Sequence, residues 1–116
     1  MFRFETLEIW KEAIIFVNKI YLTTEKNFPK HELYALTSQV RRAAISVSAN
    51  IAEGSANDSI RGFKLFLNYS IRSLVEVISE LYIARDREYI NNQDFNSLYL
   101  NAEVLVKRIT CFKKSL

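Results

Sequence analysis

The sequence predicts an all-α fold, an antiparallel up-down-up-down four-helix bundle, and three observations carry the prediction. Gly54 and Gly62 are the only glycines and Pro29 is the only proline, so the tight turns of a β fold have almost no raw material. Apolar residues recur at alternating steps of three and four in four separate stretches, the spacing of one helical face. The breaks between those stretches are short, which makes consecutive helices antiparallel neighbours. The 116 residues form a single domain, 1–116, able to bury one core without disulfide or metal staples.

The first helix is expected over about 6–26. Leu7, Trp10, Ile14, Val17 and Tyr21 form its inward stripe, and Ile9, Ala13, Phe16 and Ile20 widen it. Pro29 ends it, because proline lacks an amide donor and pushes the residue before it out of helical geometry. The second helix is expected over 30–53, with Glu32 favourable in its first turn. It runs through Leu33, Leu36, Val40, Ala43, Val47 and Ile51, and Gly54 is the expected C-terminal cap. Asn57 or Asp58 is expected to cap a third helix over 58–87. That helix has the stripe Ile60, Phe63, Leu67, Leu74, Ile78 and Leu81. Asn91 and Asn92 mark the last break, before a fourth helix over 92–114 built on Phe95, Leu98, Ala102, Leu105, Ile109 and Phe112. There are no internal repeats and no low-complexity segments.

The stretch from Arg41 to Gly54 is the least ordinary part of the chain. Ala43, Ala44, Ser46, Ser48, Ala49 and Ala52 put small residues on several faces of one helix, which a helix with a single close neighbour does not need. At about 100° per residue, Val40, Ala43, Ala44, Val47 and Ile51 face the core, with Leu33 beside them. Tyr34, Ile45, Ala49 and Ala52 gather on the other side. A helix apolar on two sides is covered on two sides, and Leu65, Tyr69 and Ile83 give the third helix a similar back face. An oligomer interface is therefore expected there. Between the faces of the second helix runs a polar seam of Gln39, Ser46, Asn50 and Glu53. A buried amide or carboxylate without a partner costs about 1–3 kcal/mol, so interhelical hydrogen bonds are expected along this row.

Catalytic and cofactor chemistry finds little support. His31 is the only histidine, which excludes HExxH zinc sites and the paired Glu-x-x-His ligands of di-iron bundles. Two glycines do not make a phosphate-cradling loop. Cys111, the only cysteine, is read as a buried structural thiol in the last helix. Glu76 and Glu80, one turn apart, are explained by solvation or by pairing with Arg72. No enzyme, cofactor or metal is expected. Nor is a signal peptide or membrane span, since no apolar run approaches about 18 residues, and a cytoplasmic location is the expectation.

Sixteen basic against thirteen acidic residues leave a net charge of +3, which serves solubility or an anionic partner equally well. Arg41 and Arg42 diverge by about 100° on the second helix, with Arg42 pointing away from the core. Arg61 and Lys64 lie near the start of the third helix, and Arg72 follows on the side of Arg61. These side chains either form a basic strip for phosphates, helped by free amides at a helix N-terminus, or pair with Glu53, Asp58, Glu76 and Glu80.

The run Leu7-Glu8-Ile9-Trp10-Lys11-Glu12-Ala13 comes first, then Phe28-Pro29 with Glu32 and Leu36. Gln39-Val40-Arg41-Arg42-Ala43-Ala44 and Ser46 follow, leading to Asn50-Ile51-Ala52-Glu53-Gly54. In this order they resemble the 23S rRNA intervening sequence protein family of four-helix bundles. The resemblance spans nearly the whole chain. The third helix departs from the pattern, which has a small residue and a glycine before the serine that is Ser73 here; this chain carries Ser70 and Arg72. The resemblance implies a small bacterial, non-enzymatic homopentamer arranged as a barrel around a central channel. It also implies kinship with the accessory protein of diversity-generating retroelements, hence RNA or DNA and a reverse transcriptase as candidate partners. Arg41, Arg42, Asn50 and Glu53 match the family's polar signature.

Overall fold

The computed structural model describes all residues, 1–116, as four helices and two short 3-10 turns with no strands. Helix α1 spans Glu8–Asn27, α2 Leu36–Ser55, α3 Ile60–Asp86 and α4 Asn92–Ser115. Each helix packs against its neighbours in chain order, α4 closes back onto α1, and the diagonal pairs have backbones farther apart. The result is the expected antiparallel bundle, 43 × 23 × 20 Å. Its core is continuous and includes Ile20, Val40, Val47, Ile51, Leu67, Leu74, Leu81 and Ile109, all essentially inaccessible to solvent.

Helix α1 is rotated from its expected orientation. Ile9, Ala13, Phe16, Ile20 and Thr24 are its buried stripe, while Leu7, Trp10 and Val17 pack on the flank and Ile14 and Tyr21 are half-buried. The sequence is apolar around much of this helix, so periodicity located a broad face without its centre. The start of α2 also differs. Lys30–Glu32 forms a 3-10 turn, Ala35 breaks helical geometry at φ −126° and ψ −106°, and the α-helix begins only at Leu36. Leu33 and Tyr34 therefore lie outside α2. Leu33 is 43% exposed rather than in the core, and Tyr34 at 94% belongs to a turn rather than to a helical interface.

Gly54 is not a cap. It lies inside α2, buried, with ordinary helical geometry. Its role is clearance: a Cβ there would stand 2.8 Å from Cβ of Phe66 and 2.9 Å from Cδ1 of Phe63. With Ala43 and Ala44, both buried, it lets α2 and α3 pack more closely than any other pair in the bundle. Ser70, fully buried on α3, reinforces this contact by donating 2.7 Å to the carbonyl of Val47. Neither Asn57 nor Asp58 caps α3. Ser59 does, accepting from the amide of Gly62 at 3.0 Å, and Asn91 caps α4 by accepting from Asp94. Ile60, expected in the core, is 60% exposed at the first turn of α3.

The ends of the bundle are tied by polar contacts. Arg41 spans α1 and α2, its Nε donating 2.9 Å to Thr24 while its guanidinium lies 4.7 Å from the ring centre of Tyr21. At the same end, Tyr89 from the α3–α4 turn donates 2.8 Å to Glu32 and accepts from Arg87 at 2.9 Å. The Tyr89 bond, helped by the Leu36 amide, holds the Glu32 carboxyl below the usual carboxylate range. The turn is closed by Glu88 at φ +63°, with the amides of Glu88 and Tyr89 bonded back to Arg85 and Ala84. This is the bonding pattern of a Schellman cap, with glutamate where glycine is most comfortable.

Two buried side-chain oxygens have no partner, Thr37 Oγ1 and Glu80 Oε1. The Ser46–Ser73 and Ser70–Val47 bonds set the α2–α3 register, which brings Glu80 level with the first turn of α2. Desolvation, and then the Glu76 carboxylate one turn away, push the Glu80 carboxyl up to about 7. The unfolded chain ionises this group near the ordinary value of 4.5, so it binds fewer protons than the folded chain between those values. Stability from this group therefore falls as pH rises from about 4.5 through 7.

Two outcomes follow from this packing. Gly54→Ala is expected to lower the thermal midpoint, because an overpacking cost of about 1–3 kcal/mol outweighs a helix-propensity gain of about 1 kcal/mol; calorimetry of the two chains checks it. Glu80→Gln is expected to match the parent chain below pH 4 and to exceed it in thermal midpoint at pH 8, read by circular dichroism melts across that range.

Candidate nucleic-acid interface

The outer surface of α2 and α3 collects most of the residues singled out from the sequence. Helical geometry places Arg42 beside Ala49, with Ile45 next to them, on the outward side of α2, and all three are exposed. Across the seam on α3, Leu65, Tyr69 and Ile83 are 47%, 37% and 48% exposed. Tyr69 is braced edge-on by Phe66 at 5.6 Å. Ala52 is half-buried on the α1 side. These side chains form an apolar surface without a partner in the single chain, broken by Arg42 on α2 and Arg72 on α3.

The seam is polar in part. Ser73 donates 3.0 Å to Ser46 across the two helices, and Asn50 donates to both the carbonyl and the hydroxyl of Ser46 within α2. Gln39 and Glu53 are exposed and make no side-chain hydrogen bond. Only the middle of the expected row thus crosses between helices.

The basic residues divide into two groups. Arg41 is occupied by Thr24 and Tyr21, as an inward strut rather than an outward donor. Arg42, Arg61 and Arg72 are exposed, Lys64 is half-buried, and none of them has a carboxylate within 4.0 Å. The ion pairs in the chain are Lys11–Glu8, Arg85–Asp86 and Arg108–Glu12. The alternative partners Glu53, Asp58, Glu76 and Glu80 are therefore not engaged. Arg61 and Lys64 frame a shallow recess of about 540 Å³ at the start of α3, completed by Ser59, Gly62, Leu65 and Asn68. Arg72 lies eleven residues beyond Arg61, about 16 Å further along the same helix.

Sequence reasoning missed two cations at this end. Lys113, in the last turn of α4, donates 2.8 Å to Asn68 and so joins the rim of the recess. Arg3, in the turn before α1, lies 5.0 Å over the ring of Phe63. Up-down connectivity puts the end of α4 beside the start of α3, so the Lys113-Lys114 pair was the available signal. His31 and Cys111 do not meet. His31 sits against Tyr89 at the opposite end, and Cys111 is exposed near the end of α4 rather than buried. That stretch of α4 is apolar over more than the face it buries, which misplaced the thiol. No group of three metal-capable side chains comes together, and no helix is long and apolar enough to cross a membrane.

The geometry presents hydrogen-bond donors and unneutralised cations to solvent along one helix pair, a surface chemistry suited to phosphate oxygens. The fold has a solved counterpart. A crystal structure of a protein of unknown function from the S23 ribosomal protein family of Bacteroides thetaiotaomicron VPI-5482 superposes with a TM-score of 0.83. It covers 91% of this chain and 98% of its own, at 20% sequence identity. No curated protein is similar enough to match. A sequence profile of 23S rRNA-intervening sequence proteins matches residues 5–111, nearly the full length over which the helices form, and the chain belongs to that family.

Proposed function

We propose that this chain is a non-enzymatic, self-associating bundle of the cytoplasm that binds RNA through the outer surface of α2 and α3. The observation that carries the reading is the set of cations there, Arg42, Arg61, Lys64 and Arg72, held on rigid helices with no carboxylate within ion-pair distance. Lys113 extends the set at the recess. A side chain that neutralises a phosphate releases condensed counterions, so each contact adds to the salt dependence of binding. Arg41 has another task, since its removal leaves the α1–α2 junction without the Thr24 bond and the Tyr21 stack.

Self-association is supported by Ile45, Leu65 and Tyr69, exposed together on the surface that a monomer would leave to water; a copy seated there also covers Arg42, and Arg61 and Lys64 at the start of α3 are then the cations that face phosphate. Five copies is the number that the family resemblance implies. Assembly multiplies every cation by the subunit number, which turns a chain charge of +3 into a strong local field. The competing reading is a protein-binding scaffold, with a reverse transcriptase among its candidate partners, whose arginines are consumed by internal ion pairs. The ion-pair pattern gives that version no support.

Binding of a structured RNA, followed by filter retention, is expected to weaken steeply from 50 to 200 mM salt, with a log–log slope near −3 for about four phosphate contacts. Arg61→Glu with Lys64→Glu is expected to lower affinity at least tenfold with an unchanged helical spectrum, whereas Arg41→Ala lowers the thermal midpoint and keeps most of the affinity. Binding that is indifferent to salt contradicts the proposal. In light scattering, the parent chain is expected at a multiple of 13.6 kDa and Ile45→Asp at a smaller mass; a monomeric parent contradicts self-association.

A further inference from the structure

The first turn of α2 is the one place in the chain where buried polar side chains go unsatisfied. Thr37 Oγ1 and Glu80 Oε1 are the only buried side-chain oxygens without a partner, and they flank this turn on its two sides. Thr37 lies one turn before Arg41, on the side of α2 that faces α1, and is 3% exposed. Glu80, 9% exposed, lies level with the same turn on the α3 side. Each such group lowers stability for as long as it is kept from water, and lifting the turn returns both to water. The later turns of α2 carry no such cost, since Ser48 and Ser55 donate to carbonyls of their own helix and Ser46 accepts from Ser73.

The turn is weakly anchored on its N-terminal side. Leu33, Tyr34 and Ala35 are all exposed, and Ala35 departs from helical geometry at φ −126° and ψ −106°, so the chain leading in adds little packing and already contains a bend. Two fixed points bound the stretch. Glu32 is held by Tyr89 at 2.8 Å, and Arg41 is held on α1 by Thr24 and Tyr21. Between them, Leu36, Thr37 and Val40 are the buried residues, and the Leu36 amide reaches Glu32 at a long 3.3 Å.

No charge of opposite sign neutralises Glu80. Its neighbour one turn back on α3 is Glu76, a second carboxylate, and Arg87 two turns on is occupied by Tyr89. Leu36, Thr37, Ser38 and Gln39 bring no charge from α2, where Arg41 turns toward α1 and Arg42 outward. In the preceding turn Glu32 is spent on Tyr89 and Leu36, and His31 sits against the Tyr89 ring. Helix α4 meets the opposite flank of α3, at Asn68 and Tyr82. No cation lies within ion-pair distance of Glu80. Desolvation, and then Glu76, push its carboxyl up to about 7, so the neutral form is the one that fits beneath the turn.

We propose that residues 33–40 form a proton-operated latch at the start of α2, seated while Glu80 is neutral and lifted once Glu80 ionises. The sign follows from the two states. Seated, the carboxyl keeps its proton up to about 7, and lifted, it is hydrated and ionises near the ordinary 4.5. The lifted state binds fewer protons between those values, so its share rises with pH by up to about tenfold per unit and levels off above the upper one. Arg41 keeps the opening from running further into α2. The latch does not depend on the RNA reading, whose cations lie beyond it on α2 and on α3.

Amide hydrogen exchange of the full chain, corrected for the intrinsic rise of exchange with pH, reads the latch at Gln39 and Val40, whose amides donate to Ala35 and Leu36. Their protection is expected to be equal, to lie below that of Val47 and Leu105, and to fall at least tenfold from about pH 5 to 7. Glu80→Gln is expected to remove the pH dependence with an unchanged helical spectrum, and Glu76→Gln to keep it but level off at lower pH. Protection of Val40 as strong as that of Leu105 overturns the proposal, because only global unfolding then opens the turn. A local opening that ignores pH overturns it too, as does a pH dependence that survives in Glu80→Gln.

Discussion

The close approach of α2 to α3 is the contact on which the rest of the bundle depends. Small residues on α2, with Gly54 opposite Phe63 and Phe66, remove the side-chain bulk that would hold the two backbones apart. Ser70 then bonds across the gap to a main-chain oxygen of α2, and Ser73 meets Ser46 a turn away. Interiors packed at crystal-like density transmit such constraints, so the α2–α3 register decides which residues of each helix face outward. Arg42, Ile45 and Ala49 look out on one helix and Leu65, Tyr69 and Arg72 on the other because the small residues look in. The same packing strands Glu80 beside the first turn of α2, with a carboxyl oxygen that no neighbour satisfies.

Much of this was legible in the sequence, and the exceptions have physical causes. Four helices, their order and the outward direction of Arg42 follow from period and breaker residues alone. Gly54 was read as a cap because glycine after a helical run most often serves that purpose; its real task, clearance for Phe63 and Phe66, depends on a partner helix that local reasoning does not place. Tyr34 was assigned to a helical face that begins only at Leu36, since the break at Ala35 carries no proline or glycine to announce it. Cys111 and the α1 stripe were misplaced for a shared reason: both lie in stretches apolar on more than one side, where periodicity finds the helix but not the direction of its core. Sequence alone places Arg41 among the phosphate-binding candidates, and only the folded chain reveals Tyr21 and Thr24 beneath it. Ser70 is a further case: it lies fully buried against α2 and donates to the Val47 carbonyl, an interhelical bond that periodicity does not announce.

The bundle presents chemically different surfaces on its two broad sides. The α2–α3 side mixes apolar residues with cations that no carboxylate neutralises, and the α1–α4 side is an apolar trough crossed by the Arg108–Glu12 ion pair. A net charge of +3 is unremarkable for a chain of this size. Its distribution is more informative, because Arg61, Lys64 and Lys113 converge from helices whose residues lie far apart in sequence. Connectivity accomplishes this, since an up-down bundle returns the end of α4 to the start of α3.

Lysine-reactivity footprinting with a structured RNA tests the central assignment most directly, because it reads each ammonium separately without altering the chain. The account predicts that acetylation of Lys64 and Lys113 is suppressed on RNA binding, while Lys26 and Lys30 at the far end react as they do in the free protein. Protection confined to the α1–α4 side at Lys19 and Lys107, or no protection at Lys64, would contradict it.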